Sequence, residues 1–222
     1  MTKNLNSPET LRQRLLLDLK WRKFLKLAKW FRFVPFVKFV MANGSMVLGV
    51  ADENSDFDVL VAAEEGRIFT VRYILNLIFS ALRARRLDDI KGSSPNKLCF
   101  NHFITAPAYR KEGLNEYGAE LYRNLVPLYG SENEMRKFFY ANREYSPKAE
   151  MNLLDLRFQD TEPNIFARSL EWLLGGWFGD LIEKKIIEPI ARKRLTGYLS
   201  QKTVKDRVII SEQELEFHFK LQ

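Results

Sequence analysis

The chain has 222 residues, 46% of them hydrophobic, with a mean hydropathy of -0.27: enough to bury one sizeable core with a small appendage, and too apolar for a disordered chain. A single cysteine, Cys99, excludes an internal disulfide and a cysteine metal cluster. No apolar run reaches transmembrane length and the polar first ten residues carry no secretory signal, so a cytoplasmic location is expected.

The net charge of +7 is local. Residues 1–40 hold ten basic and two acidic side chains, a net of +8, and the remainder holds 25 basic and 26 acidic, a net of -1. That first segment predicts a helix from Ser7-Pro8-Glu9, where serine can cap and proline suits the first turn. Leu17, Trp21, Phe24, Ala28 and Phe31 recur at helical spacing on one face, with Lys20, Arg22, Lys23, Lys26 and Lys29 largely outside it. A core-packing helix with a solvated basic face explains this pattern, and the same surface can attract an anionic partner such as nucleic acid, lipid or a charged acceptor. Pro35 ends the helix.

Phe36–Ala42 then reads as a first strand, followed by Gly44-Ser45 and a short helix starting within Ser45–Val50. Glycine lets the backbone approach a phosphate closely, and the serine hydroxyl with a helix N-terminus offers donors to it. Asp56–Ala63 reads as a second strand, in which Asp56 and Asp58 project to one side and Phe57 to the other. Two carboxylates about 7 Å apart along a strand repel by roughly 2 kcal/mol at an effective dielectric near 20. A divalent cation reverses that sign, and magnesium is characteristically held by one or two carboxylates together with substrate phosphates.

Gly44, Ser45, Asp56 and Asp58 resemble the signature of the DNA polymerase beta-like nucleotidyltransferase superfamily, a Gly-Gly or Gly-Ser step followed downstream by Asp-hydrophobic-Asp. The match lies within residues 36–63, and the order of flanking elements extends the likeness to about residue 106. The resemblance implies an α+β fold, with a small mixed sheet of nucleotidyltransferase type flanked by helices and a mainly helical C-terminal region. It also implies transfer of a nucleoside monophosphate from an NTP to an acceptor, with pyrophosphate leaving. In that reading Asp56 and Asp58 are the catalytic, metal-holding residues for Mg2+, and Gly44 and Ser45 contact the phosphates.

Members of the superfamily usually carry a third acid on a later strand, and here the chain departs from the pattern. The strand expected at Lys97–Thr105 contains no Asp or Glu; Asn101 and His102 are the candidate substitutes, and Asp88, Asp89 and Glu112 flank it. Before that strand, Arg67–Arg86 predicts a largely buried helix whose last turn carries Arg83, Arg85 and Arg86, suited to the negative end of the helix dipole. Arg72 near its start has two readings, a triphosphate contact or a surface arginine. Asp88–Asn96 is a loop.

Residues 1–106 are therefore expected to form the nucleotidyltransferase-like core with its basic helix, and 107–222 a mainly helical accessory region. Within the latter, Asn115–Tyr129 and Asn133–Arg143 read as helices, Ser146–Pro163 as irregular, and Asn164–Ser200 as helical with Pro189 kinking or dividing it. Arg207–Ser211 reads as a short strand followed by a polar helical turn. Three functions compete: a metal-dependent nucleotidyltransferase acting on an unknown small-molecule, protein or RNA acceptor; a nucleotide-binding or regulatory module with weakened catalysis; and a protein that engages nucleic acid or a membrane surface through its basic helix.

Overall fold

The computed structural model describes residues 8–86, 94–147, 152–158, 162–200 and 207–218. The fold is α+β, a six-stranded mixed sheet with helices on both faces. Helix α1 (Pro8–Ala28) buries Phe24 and Ala28, and Leu17 and Trp21 pack partly buried against the same core. Phe24 stacks on Phe57 with ring centroids 4.6 Å apart and planes 4° apart, a pairing that adds about 0.5–1.5 kcal/mol to the burial of the two rings. This fixes α1 against the strand that carries the acidic pair.

Strands β1 (Val37–Ala42) and β2 (Phe57–Ala63) pair antiparallel, and β2 pairs parallel with β3 (Leu98–Ile104) after a crossover through α2 (Ile68–Ala81). Alternation along β2 sorts its side chains. Phe57, Val59, Val61 and Ala63 join the core beneath α1 and α2, while Leu60 and Ala62 join a second core with Phe138 and Tyr122 of α4 (Glu132–Ala141) and α3 (Glu116–Arg123). Asp58 has the parity of Leu60, so it emerges on the α3/α4 face.

The sheet draws strands from both sides of residue 107. Helix α3 ends at Arg123, and Val126–Gly130 is strand β4, paired antiparallel with β1, where a helix to Tyr129 is the sequence expectation. Pro127 is tolerated there because β4 is an edge strand. At the other side β5 (Arg207–Ile210) is followed not by a helical turn but by β6 (Glu214–His218), which pairs antiparallel with β5 and β3. The order is β4-β1-β2-β3-β6-β5.

Helix α2 stops at Ala81, and Arg83 takes a left-handed φ of 53°. Arg83, Arg85 and Arg86 therefore lie beyond the helix and do not cap its last turn. The C-terminal helices are α5 (Ile165–Leu174), α6 (Gly176–Ile182) and α7 (Glu188–Ser200), with a π turn over Glu183–Ile187 joining the last two. Pro189 sits in the first turn of α7; the helical path is altered just ahead of it, in the π turn, rather than broken at the proline.

Candidate functional site

The path from β1 to β2 brings the Gly-Ser step against the acidic pair. The Asn43 N–H donates to the Asp58 carbonyl at 3.0 Å, locking the turn to β2. Gly44 has a φ of +72°, and a Cβ placed on it would stand 2.2 Å from Asp58 Oδ2. Glycine is thus required twice, by the backbone conformation and by the carboxylate packed on it. The helix expected from Ser45 is a single 3-10 turn, Gly44–Met46, which ends in bonds from Gly49 N to Met46 O and Val50 N to Ser45 O. Any anion contact here rests on local amides and the half-buried Ser45 hydroxyl, without the dipole of a full helix.

The loop before β2 is tied down from α1. Lys20, 2% exposed, donates from Nζ to the carbonyls of Glu53 and Ser55 at 3.3 and 2.8 Å and to Asn96 Oδ1 at 3.3 Å. Burial pulls its pKa down, and Asp52 opposes that pull. Asp52 itself accepts from the Ser55 hydroxyl at 2.7 Å and the Asn54 amide at 3.0 Å, and the hydroxyl bond chiefly lowers its pKa. Sequence periodicity leaves Lys20 on the solvated side, because its three acceptors come from residues distant in the chain.

Asp56, Asp58 and Cys99 form one cluster, with a ligand atom from each lying within 4.8 Å of the others. Cys99 is the register partner of Asp58 across the parallel β2–β3 pair. A bulge between Asp58 and Leu60 sets Asn101 next to the pair, and its Nδ2 donates to Asp58 Oδ1 at 3.2 Å. Burial, followed by the charges of Asp58 and Asp56, drives the Cys99 thiol pKa well up, so the thiol stays protonated. Arg86 pairs through Nη1 with Asp56 Oδ2, the two side chains being 33% and 16% exposed; burial works against the Arg86 charge, and Asp56 more than restores it, leaving the pKa raised.

Of the two candidate substitutes for the third acid, Asn101 reaches Asp58 and His102 does not. His102 Nε2 lies 3.2 Å from Glu214 Oε1, inside a second cluster with Glu216, where Lys111 Nζ bonds Glu214 and sits 3.4 Å from Glu216. Glu112 is exposed and pairs with Arg110 at 3.2 Å, away from the aspartates. Asp88 and Asp89 lie outside the described residues. Arg72 stacks over Phe217, 5.2 Å from its centroid, in the core on the opposite face of the sheet. Cys99 and Arg86 are the neighbours that sequence reasoning missed; only the parallel register of β2 and β3 makes Cys99 the residue facing Asp58.

The two carboxylates offer oxygen donors of the kind a hard divalent cation such as magnesium takes, and the Cys99 sulfur lies within the same cluster. Arg86 engages Oδ2 of Asp56, and no described residue is shown bonded to Oδ1. Comparison with protein-family models, with curated proteins and with solved structures returns no match to this chain.

Proposed function

We propose that the chain is a magnesium-dependent nucleotidyltransferase that binds an NTP between the Gly44-Ser45 turn and the Asp56/Asp58 pair and moves its nucleoside monophosphate to an acceptor hydroxyl or amine. The observation that carries this reading is the contact of Gly44 with Asp58, which leaves no room for a Cβ and so sets bare backbone beside a carboxylate. Asp56 and Asp58 would hold the metal, and Gly44 and Ser45 would orient the phosphates. Magnesium, when bound, supplies the positive charge that a polyphosphate and its pyrophosphate leaving group require. The acceptor is a small molecule, protein or RNA, and the exposed basic residues of α1 favour one with negative charge. The proposed compartment is the cytoplasm, where a lone half-buried thiol stays reduced.

A second reading has its own support: a nucleotide-binding module with little or no turnover. Cys99, a neutral thiol, faces Asp58 from the strand on which the superfamily usually carries its third acid, and Arg86 covers one oxygen of Asp56. Calorimetry with magnesium and each NTP, paired with transfer of label from alpha-labelled NTP to the acceptor and a separate assay of released pyrophosphate over a broad acceptor set, separates the two. Binding with turnover supports the transferase, and binding without turnover supports the module. Cys99→Asp adds the missing carboxylate and should raise turnover if the transferase geometry is otherwise complete. Absence of magnesium-dependent NTP binding in the wild type would refute both.

A further inference from the structure

Helix α6, the π turn and α7 run on as one helix from Gly176 to Ser200, and its outer face is apolar where a solvated helix would be polar. Trp177, Phe178 and Leu181 are 77%, 46% and 47% exposed, and Ile186 and Ile190 follow at 54% and 46%. The spacing is informative. From Leu181 to Ile186 is five residues, which an α-helix would turn away from the stripe; the π turn over Glu183–Ile187 widens the turn at that place and keeps Ile186 in line. Ile190 and Arg194 then continue the same row at i+4.

The row does not stand alone. Ile186, Ile190 and Arg194 line a cavity of about 420 Å³ together with Tyr73 and Leu77 of α2 and with Arg72. Tyr73 and Leu77 are themselves 49% and 59% exposed, so exposed apolar side chains of α2, the π turn and α7 meet around the same cavity. Asn76, in the cavity wall, has its Oδ1 buried with no hydrogen-bond partner among the described residues.

The charges around this face are sorted by sign. All four acids from α5 to α7 are held by partners within the protein: Glu183 is buried, Glu171 and Glu188 are half-buried, and the Asp180 side chain is 57% exposed but pairs with the buried Arg67. Glu171 accepts from Phe36 N at 2.7 Å, Asp180 from Arg67 Nη1 at 2.6 Å, Glu183 from Phe69 N at 2.9 Å, and Glu188 from Arg192 Nε at 2.6 Å. Lys184, Lys185, Lys193 and Arg194 are exposed, with no acidic partner among the described residues. An apolar stripe bearing tryptophan and phenylalanine with an unopposed basic border complements the boundary between acyl chains and anionic headgroups.

We propose that the face formed by α6, α7 and α2 docks the protein onto an anionic phospholipid bilayer. Trp177, Phe178, Leu181, Ile186 and Ile190 enter the headgroup boundary, Lys184, Lys185, Lys193 and Arg194 meet the phosphates, and the cavity beside Arg194 accommodates part of one lipid. No described helix is long and apolar enough to cross a membrane, so the contact is peripheral. The proposal is independent of the nucleotide reading, since it lies on the face of the sheet opposite Asp58.

The test is flotation of the full chain with vesicles of phosphatidylcholine alone and of phosphatidylcholine mixed with phosphatidylglycerol. Binding is expected only to the mixed vesicles, weakening with salt, and accompanied by a blue shift of tryptophan emission that Trp177→Phe diminishes. Each of Lys185→Gln and Lys193→Gln should weaken binding about fivefold, and the pair about 25-fold, while Ile186→Ser, at an exposed position, should abolish flotation with the melting temperature unchanged. NTP binding by these variants should match the wild type. The proposal fails if the mixed vesicles are not bound, or if binding survives Ile186→Ser but is lost with Leu15→Ser, which would move the contact to α1. It also fails if light scattering shows a dimer that Ile186→Ser dissociates, because a second copy would then cover the face.

Discussion

Two pairs of acids, each two residues apart on a strand, lie on the same face of this sheet: Asp56 and Asp58 leading into β2, and Glu214 and Glu216 in β6. Each has a further ligand-type neighbour, Cys99 for the first and His102 for the second, within the same 4.8 Å span. What separates them is the counter-charge. In the β6 cluster the Lys111 ammonium bonds both carboxylates, and the side chains of His102, Lys111 and Glu216 are 3%, 5% and 8% exposed. In the β2 cluster an arginine whose side chain is a third exposed covers one carboxylate, and a glycine turn packs against the other. The spacing of acids in a strand is therefore a poor guide to a metal site by itself; the internal cation and the depth of burial decide whether an external one has any role.

The sharpest way to break this comparison is to remove the internal cation. Lys111→Met removes the ammonium that bonds both Glu214 and Glu216, which should destabilise the fold by about 3–5 kcal/mol and lower the melting temperature by roughly 6–20 °C, with little change in NTP affinity per folded molecule. An unchanged melting temperature would mean that Lys111 is not the counter-charge and that the β6 cluster is as open to cations as the other.

The two clusters were unequally legible in the sequence, for physical reasons. Asp56-Phe57-Asp58 opens an apolar run with a Gly-Ser step ahead of it, so strand, turn and acid pair reinforce one another; β1, β2 and β3 fall within a residue of their expected bounds, and α2 begins as expected but stops at Ala81, short of Arg86. Glu214-Leu215-Glu216-Phe217 alternates just as cleanly, but four charged or polar residues in a short C-terminal stretch read as a solvated turn. Its strand character comes from pairing with β3, which is about 110 residues away in the chain (His102↔Glu216). Strand β4 was hidden by Pro127, acceptable only at an edge, and by helical spacing that runs straight into it from α3. The helix expected after Gly44 is cut to one turn because Gly49, at a φ of +71°, reverses the chain.

A smaller effect, confined to the β2 cluster, is expected from Gly44→Ala. The left-handed backbone alone makes a non-glycine residue unfavourable by about 1–3 kcal/mol, and the new methyl group must displace the Asp58 carboxylate. Magnesium-dependent NTP binding, followed by calorimetry, should fall at least tenfold, a loss of about 1.4 kcal/mol or more, while Ser45→Ala, which keeps the backbone, should lose less. Equal losses for the two variants would shift the anion contact from backbone to hydroxyl.

A third way of housing a carboxylate sharpens the contrast. Glu183 has neither an ammonium on it nor an open cation site; it accepts the Phe69 and Thr70 amides at 2.9 and 3.0 Å and the Thr70 hydroxyl, capping α2 from another helix. Burial raises its pKa despite those bonds. A carboxyl raised in the folded state favours folding most while it is protonated, so its contribution is complete below the ordinary carboxylate range and declines as pH rises through the raised value. Stability measured against Glu183→Gln, which keeps an acceptor but does not titrate, should therefore shift in favour of the variant on going from acid to neutral pH. A difference independent of pH would show that the amides fully offset the burial.

The smallest expected effect bears on what Arg86 does at Asp56. Its guanidinium is a third exposed, so solvent weakens the pair to about 1 kcal/mol or less, and a cation arriving at Asp56 has only that much to displace. Arg86→Gln should tighten magnesium binding by at most about fivefold, the equivalent of that 1 kcal/mol. If Arg86 merely shields Asp56 until a metal arrives, NTP affinity at saturating magnesium should stay constant in the variant. If instead Arg86 turns from Asp56 onto the triphosphate once the metal is bound, magnesium affinity should rise while NTP affinity falls. Metal titration and NTP titration, measured separately on the same variant, assign the arginine to one role or the other, and a variant altered in neither would remove Arg86 from the site.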